Sequence, residues 1–457
     1  MDLEDTIAAI STPPGEGGIG IVRISGRDAI RIASRIFHSP KGKDLRKVPS
    51  HTIHYGYIID PKEGERIDEV LVSVMRAPNT YTRQDIVEIN CHGGMVPLRR
   101  VLQLAIREGA RLANPGEFTL RAFLNGRIDL SQAEATADLI RAKTEKSSQI
   151  ALQQLRGELS DRISSVSDRV ADITAHIEAY IDFPEEDIEP MTLQQIQRDL
   201  QDCIDKLTRL SASYEEGRFF REGLAVAIVG KPNVGKSSLL NALLQEDRAI
   251  VTHIPGTTRD LIEEYINLNG IPLRIIDTAG IRQSKDLVES EGVKRTLQAV
   301  ERADMVLAVF DMSSPLTDED REVLKRVKTA KSILVLNKTD LPQVVSEREF
   351  PESLPKVKIS AKTGEGLDDL KRRIETEVLK DRAGTEGVMV TNLRHKIAID
   401  RAADSLKRAS SCLAEKMPLE IMAIELREAL QSLGEITGAV TTEDILNRIF
   451  SQFCIGK

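Results

Sequence analysis

The period of the apolar positions changes several times along the chain, and each change marks a new kind of element. Over residues 1 to about 118, β-type runs at Ile19–Ile24, His51–Ile59, Val70–Met75 and Ile86–Asn90 alternate with helical patterns near Arg27–Phe37 and Val96–Glu108, which predicts an α+β domain. From Asn114-Pro115-Gly116 the pattern turns helical. Leu152, Leu155, Leu159, Ile163, Val166, Val170, Ile173, Ile177 and Tyr180 step by three and four, predicting one long helix that ends at Asp182-Phe183-Pro184. A second amphipathic helix is expected from Leu193 to Leu210. The apolar runs Leu224–Val229, Leu273–Ile276, Leu334–Leu336 and Val357–Ile359 then read as buried strands of an α/β unit. Residues 391–453 are helical again, through Leu393, Ile397 and Leu406, then Ile421, Ile424, Leu426 and Leu430, then Ile445, Leu446, Ile449 and Phe450. Both helical blocks carry seams that need a partner, so the expected architecture is multidomain: 1–118 α+β, 119–222 and 383–457 a discontinuous helical bundle, and 223–382 an inserted α/β domain. Gly217, Gly223 and the charged stretch Lys380–Glu386 are the expected hinges, on which the insertion would pivot.

Composition narrows the partners. The 457 residues carry a net charge of −8, with 4% aromatics and no tryptophan, so there is no basic footprint for bulk nucleic-acid binding and any RNA contact must be local. Four cysteines, at 91, 203, 412 and 454, form no C-x-x-C pair and no zinc spacing, which points to a reducing compartment. The start Met1-Asp2-Leu3-Glu4-Asp5 has the wrong sign for a leader peptide and no apolar run approaches a membrane span. A soluble cytoplasmic protein is expected.

The strongest chemical signal lies between the first inserted strand and the helix expected through Leu239, Leu240 and Leu243. In Gly230-Lys231-Pro232-Asn233-Val234-Gly235-Lys236-Ser237-Ser238 the two glycines let backbone N–H groups curl round a diphosphate. Lys236 places a point charge between the outer phosphates and Ser237 offers a hydroxyl to magnesium. Asn233, beside the nucleotide, has an amide oxygen suited to a monovalent cation. Gly15-Glu16-Gly17-Gly18-Ile19-Gly20 fits the dinucleotide fingerprint by spacing, but the chain runs on into a strand where the fingerprint needs a helix, so an oxidoreductase reading is weak.

Downstream loops select the nucleotide. Asp340 of Asn337-Lys338-Thr339-Asp340 can accept two N–H bonds from a guanine edge, whereas adenine would leave that carboxylate, expected to be buried, without a partner. GTP is therefore expected over ATP, with Ser360-Ala361-Lys362 closing over the base. Asp277-Thr278-Ala279-Gly280 and Gly256-Thr257-Thr258-Arg259-Asp260 are placed to sense the third phosphate, Thr258 offering a second magnesium hydroxyl. Ile281 stands where many such enzymes carry a water-orienting glutamine, so another group must act there; Asp286, Glu289 and Glu291 are the nearby acids, each on the residues alone more readily a solvated charge than a catalyst.

Taken together, the loops over Leu224–Lys362 resemble translation-factor-like P-loop GTPases, with a Ras-like fold. With Asn233, Ile281-Arg282 and the terminal Cys454-Ile455-Gly456-Lys457, the chain more closely resembles the tRNA wobble-uridine modification GTPases of bacteria and organelles, essentially end to end. The resemblance implies a guanine-nucleotide site that also uses Val234, Gly235, Ser238, His253, Pro255, Thr278 and Ala279. It implies potassium held by Asn233, Thr257 and the backbone of Thr252 and Ile254, magnesium on Ser237 and Thr258, Glu289 acting on water, and Arg282 supporting catalysis. For the N-terminal domain it implies a folate-binding-like fold holding 5-formyl- or 5,10-methylene-tetrahydrofolate with Arg23, Glu88, Arg127 and Lys457, and a chemical role for Cys454. On the residues alone, Arg23 and Glu88 could instead pair with each other, and Cys454 could belong to a frayed tail. The implied activity is a potassium-stimulated GTPase, a homodimer that joins an FAD-dependent partner in a heterotetramer to place a carboxymethylaminomethyl-type group on tRNA, with no membrane involved. The alternative is a regulatory switch GTPase of ribosome or RNA assembly.

Overall fold

A computed structural model describes residues 4–182, 192–247, 264–276, 300–379 and 387–457. Seven strands form the first sheet: β1 (Ile7–Ile10), β2 (Gly17–Ser25), β3 (Phe37–His38), β4 (Thr52–Ile59), β5 (Arg66–Met75), β6 (Ile86–Gly93) and β7 (Arg111–Leu112), in the order β3-β4-β5-β6-β2-β1-β7. Period-two alternation sends Val22, Ile24, Val72, Val74, Val87 and Ile89 to one face, where helices α1 (Ala29–Ile36) and α2 (Met95–Arg107) cover them. Arg23 and Glu88, directly opposite in the β2–β6 register, point to the other face. The glycine-rich segment before β2 leads into that strand without an intervening helix, as expected for a turn and not for a dinucleotide fold. β1 and β7 were not legible: four and two residues are too short for the pattern.

Six helices follow: α3 (Glu117–Leu124), α4 (Leu130–Arg141), α5 (Glu145–Leu155), α6 (Glu158–Asp182), α7 (Leu193–Ala212) and α8 (Tyr214–Glu222). The single helix expected through Leu152–Tyr180 is in fact two. Gly157 adopts φ +94, a left-handed conformation that ends α5, and α6 starts at the next residue. Leu152 and Tyr180, predicted on the seam, are exposed.

A second, six-stranded sheet holds β8 (Leu224–Val229), β9 (Glu264–Leu268), β10 (Ile271–Ile276), β11 (Met305–Asp311), β12 (Ser332–Asn337) and β13 (Lys356–Lys358). Its order is β13-β12-β11-β8-β10-β9, and every pair is parallel except β9 with β10. Helices α9 (Lys236–Asp247), α10 (Asp318–Val327) and α11 (Leu367–Leu379) belong to this α/β unit. The chain then closes with α12 (Leu393–Ala414), α13 (Leu419–Thr437) and α14 (Glu443–Phe450).

One core joins α6 and α7 to α12 and α13, so the helices before and after the α/β unit do bury each other's apolar faces. The predicted seam of the C-terminal pair is displaced, however: Leu393, Ile397, Ile421 and Ile424 are exposed, while Ala398, Ile399, Ala402, Ala403, Leu406, Met422, Ala423, Leu426 and Ala429 are buried. Small alanines let these two helices approach closely, and a search for large apolar residues passes over them.

Exit from and return to the bundle are adjacent. Val390 donates its N–H to Ser213 Oγ at 3.0 Å, and a Cβ on Gly217 would lie 2.2 Å from the Val390 carbonyl oxygen. Gly217 therefore sits inside α8 as a close-packing residue, which corrects its reading as a hinge. Gly223, at φ +82, ends that helix, and Lys380–Glu386 lies outside the described residues. Ile150, Phe219 and Phe220 share a core with Val226 and Leu273, and Thr144 Oγ1 donates to the Gly270 carbonyl at 2.6 Å, so the bundle is packed directly against the second sheet.

Candidate functional site

β8 delivers the glycine loop and α9 departs from it, the strand-loop-helix order that the loop's chemistry needs. Gly230 has φ +151 and a Cβ there would lie 2.5 Å from the Val309 carbonyl; Gly235 has φ +103 and its Cβ would lie 2.2 Å from Asn337 Nδ2. Asn233 is also left-handed, at φ 64, and exposed on the loop. Lys236 Nζ donates to the carbonyls of Gly230 and Lys231, each at 2.8 Å, curling across the loop where phosphate oxygens are expected. Burial holds the Lys236 pKa below its ordinary value, so an anion placed beside it would be drawn in strongly. Ser237 and Ser238 are exposed at the first turn of α9.

The base-reading loop is bolted to the phosphate loop. Asn337 Nδ2 donates to the Val234 carbonyl at 2.8 Å and its Oδ1 accepts from Ala361 N–H at 3.0 Å, so one buried amide ties three loops together. Lys338, at φ 67, reaches back to Asp311 at the end of β11, with Nζ 2.6 Å from Oδ2. Burial would raise the Asp311 carboxyl, but Lys338 and Ser313 outweigh it and hold the group below its ordinary value. Asp340 accepts from the buried Ser360 hydroxyl at 2.7 Å. Contrary to the expectation of a buried carboxylate, Asp340 is exposed, because it lies in the turn three residues beyond Asn337, where the buried strand β12 ends. Lys362 is exposed as well.

Two supports were missed. Lys231 Nζ lies 2.6 Å from the buried Asp320 Oδ2, anchoring the glycine loop to α10, and Asp304 receives both Arg218, at 2.8 Å, and the Ala225 N–H, at 3.0 Å. Partners tens of residues apart leave no periodic trace. Asp311 had a weak signal, an acid ending an apolar strand. The expected positions Thr252, His253, Ile254, Pro255, Gly256, Thr257, Thr258, Asp277, Thr278, Ala279, Gly280, Arg282 and Glu289 lie outside the described residues.

A second constellation forms on the outer face of the first sheet. Arg23 donates from Nε to Glu88 Oε1 at 2.8 Å and from a terminal nitrogen to the Gly456 carbonyl at 3.1 Å. The two therefore do pair with each other, while Arg23 also holds the tail. Gly116 N–H donates to the Cys454 carbonyl at 3.4 Å and Phe118 N–H to a Lys457 oxygen at 3.2 Å, so the tail is seated against α3 and is not frayed. Burial and then the Arg23 charge push the Lys457 pKa down. Arg127 is stacked 4.7 Å over the ring of Tyr81, which packs against the cluster holding Phe118, the ring beneath Arg23. Cys454 is exposed.

A mostly parallel sheet carrying a glycine phosphate loop, with Asn-Lys-x-Asp on the strand two places away, defines a P-loop GTPase, and the chain is a GTP hydrolase. The chain matches the GTP-binding protein TrmE N-terminus over residues 6–127 and the MnmE helical domain over residues 130–454. It is 51% identical, over 100% of both chains, to the tRNA modification GTPase MnmE of Carboxydothermus hydrogenoformans, and 50% identical, over 99% of this chain and 98% of the other, to that of Ligilactobacillus salivarius. The G domain of the T. maritima FeoB iron transporter is 27% identical over 34% of this chain and 98% of its own, with a TM-score of 0.26. The chain belongs to the MnmE family of tRNA modification GTPases.

Proposed function

We propose that this protein is a potassium-stimulated, homodimeric GTPase that, with an FAD-dependent partner in a heterotetramer, installs a carboxymethylaminomethyl-type group at the 5-position of the wobble uridine of certain tRNAs. Family membership supports the tRNA substrate. The arrangement that carries the modification reading is the tail held by Arg23 beside Glu88: a switch that only binds and releases nucleotide has no use for it. A pterin edge is guanine-like and would pair with Glu88, with Arg23 and Lys457 as cations for the acidic remainder; Arg127 would contribute from the turn between α3 and α4. The residues present fit a tetrahydrofolate, which would carry the one-carbon unit, and Cys454, on the tail that Arg23 holds, would be the thiol available to that chemistry.

In the nucleotide site, Ser237 and Thr258 supply hard oxygens suited to magnesium. Asn233, Thr252, Ile254 and Thr257 supply the oxygens for potassium, whose charge would stabilise the transition state where an arginine finger acts elsewhere. Lys236 leaves its loop carbonyls for the outer phosphates, Glu289 orients the attacking water, and Arg282 steadies the loop that carries it. Hydrolysis would drive movement of the 223–382 domain against the bundle. The deciding experiment is nucleoside analysis of tRNA from cells lacking this gene. Loss of the modified wobble uridine is expected; unchanged tRNA would leave a GTPase of the switch class.

A further inference from the structure

The chain is acidic overall, yet residues 27–47 hold Arg27, Arg31, Arg35, Lys41, Lys43, Arg46 and Lys47 against Asp28 and Asp44, a local +5 in a molecule of net charge −8. All seven cations are exposed. Arg31 and Arg35 are four apart on one face of α1 and, with Lys43 and Arg46 of the loop from β3 to β4, line a cleft of about 490 Å³; Lys41 and Lys47 stand on the same loop outside that lining. The loop is firmly built: Leu45 is 1% exposed, and Arg76 donates to the carbonyls of Arg46, at 2.9 Å, and Val48, at 3.2 Å. Arg27, Arg31, Arg35 and Arg46 are each in an ion pair with a carboxylate, whereas Lys41, Lys43 and Lys47 are in none among the described residues, the Lys47 charge reaching Asp44 only at longer range. Three uncompensated ammonium groups on an ordered loop, beside a helix that presents arginines, match the spaced charges of a ribose-phosphate backbone.

We propose that this surface of the N-terminal domain, centred on Lys41, Lys43 and Lys47 and flanked by Arg31, Arg35 and Arg46, binds the phosphate backbone of the tRNA substrate. The proposal rests on the tRNA reading above and adds where the RNA lies. A membrane surface is the poorer partner: the apolar side of α1 (Ile30, Ile32, Ile36) is buried in the domain core, as are Phe37 and Leu45, so nothing is left to insert into lipid.

The test uses the full chain and a fluorescent tRNA with uridine at the wobble position, titrated at several salt concentrations between roughly 50 and 200 mM. Lys41→Glu, Lys43→Glu and Lys47→Glu together are expected to weaken binding at least about tenfold and to flatten the plot of log K against log salt by about 2–3. The corresponding Lys→Gln triple gives an intermediate loss, and the thermal midpoints of both stay at that of the wild type. A matched reversal on the bundle (Lys206→Glu, Lys407→Glu and Arg427→Glu) is expected to keep binding within about threefold. Equal loss in the bundle variant would reduce the effect to net charge and overturn the proposal. So would a patch variant that holds tRNA like the wild type, including one that has lost only adhesion to phosphatidylglycerol vesicles. Wild-type protein that fails to bind tRNA at any salt would instead remove the tRNA reading itself.

Discussion

Asn337 and Val234 are joined by a 2.8 Å hydrogen bond from the side-chain amide of one to the main-chain carbonyl of the other. They are 103 residues apart, and the bond makes the loop that reads the base and the loop that holds the phosphates one rigid piece. Asn337→Ala would orphan the Val234 carbonyl and the Ala361 N–H, each at about 1–3 kcal/mol. The expected result is GTP affinity lowered at least about tenfold and a lower unfolding midpoint of the nucleotide domain, read by fluorescent-nucleotide titration and thermal melting.

Glu134 does for the bundle what Asn337 does for the nucleotide site. On α4, it meets Asn392, Arg394 and His395, at 2.9, 2.8 and 2.6 Å, across the whole insertion. Burial would raise its carboxyl, but His395 and Arg394 outweigh that and hold it at about 2 against an ordinary 4.5. A folded-state value below the unfolded one contributes stability that is complete above about 4.5 and disappears as pH falls toward 2, about 3 kcal/mol in all. Glu134→Gln should therefore cost about 3–5 kcal/mol at neutral pH, because the half-buried Arg394 loses its counter-charge and the buried His395 loses its carboxylate partner. Urea denaturation followed by helical circular dichroism should show the gap between variant and wild type shrinking by more than half at about pH 3.

What was legible follows from this contrast. The glycine loop could be read because its residues are contiguous and each answers a local demand, the turn at Gly230 and Gly235 and the charge at Lys236. The alternation that places Val22 and Ile24 inward and Arg23 outward was readable for the same reason. The long-range bonds were not: nothing near Lys231 announces Asp320, and nothing near Glu134 announces His395. The break at Gly157 was hidden because apolar spacing continues through it, and the close α12–α13 contact because its inner face is alanine.

Hydrolysis itself should depend on a residue and an ion to which the proposed mechanism gives separate tasks, Glu289 orienting water and potassium stabilising charge. Glu289→Ala is expected to lower turnover by about two to four orders of magnitude with GTP affinity nearly intact, since orienting water matters only in the transition state. Sodium in place of potassium should slow hydrolysis strongly. Steady-state rates and equilibrium titrations in the two salts check both, and a Glu289→Ala enzyme as fast as wild type would take that residue out of the mechanism.

The four cysteines should separate into one reactive thiol and three silent ones. Cys91, Cys203 and Cys412 are buried, and burial pushes the Cys91 thiol up to about 12 and the Cys203 thiol up to about 11. At about pH 8 fewer than roughly one in a hundred of those two groups is thiolate, and a disulfide reagent cannot reach the few that are. Cys454 is exposed, on a tail seated through Gly116, Phe118 and Arg23. A thiol-disulfide reagent should therefore consume one equivalent quickly, with the other three appearing only on unfolding, and Cys454→Ser should remove the fast phase. Arg23→Ala takes away the donor to the Gly456 carbonyl and should speed that fast phase by loosening the tail. An unchanged rate in Arg23→Ala would mean that α3 alone seats the tail, and a second fast thiol would mean that one of the buried three is open to solvent.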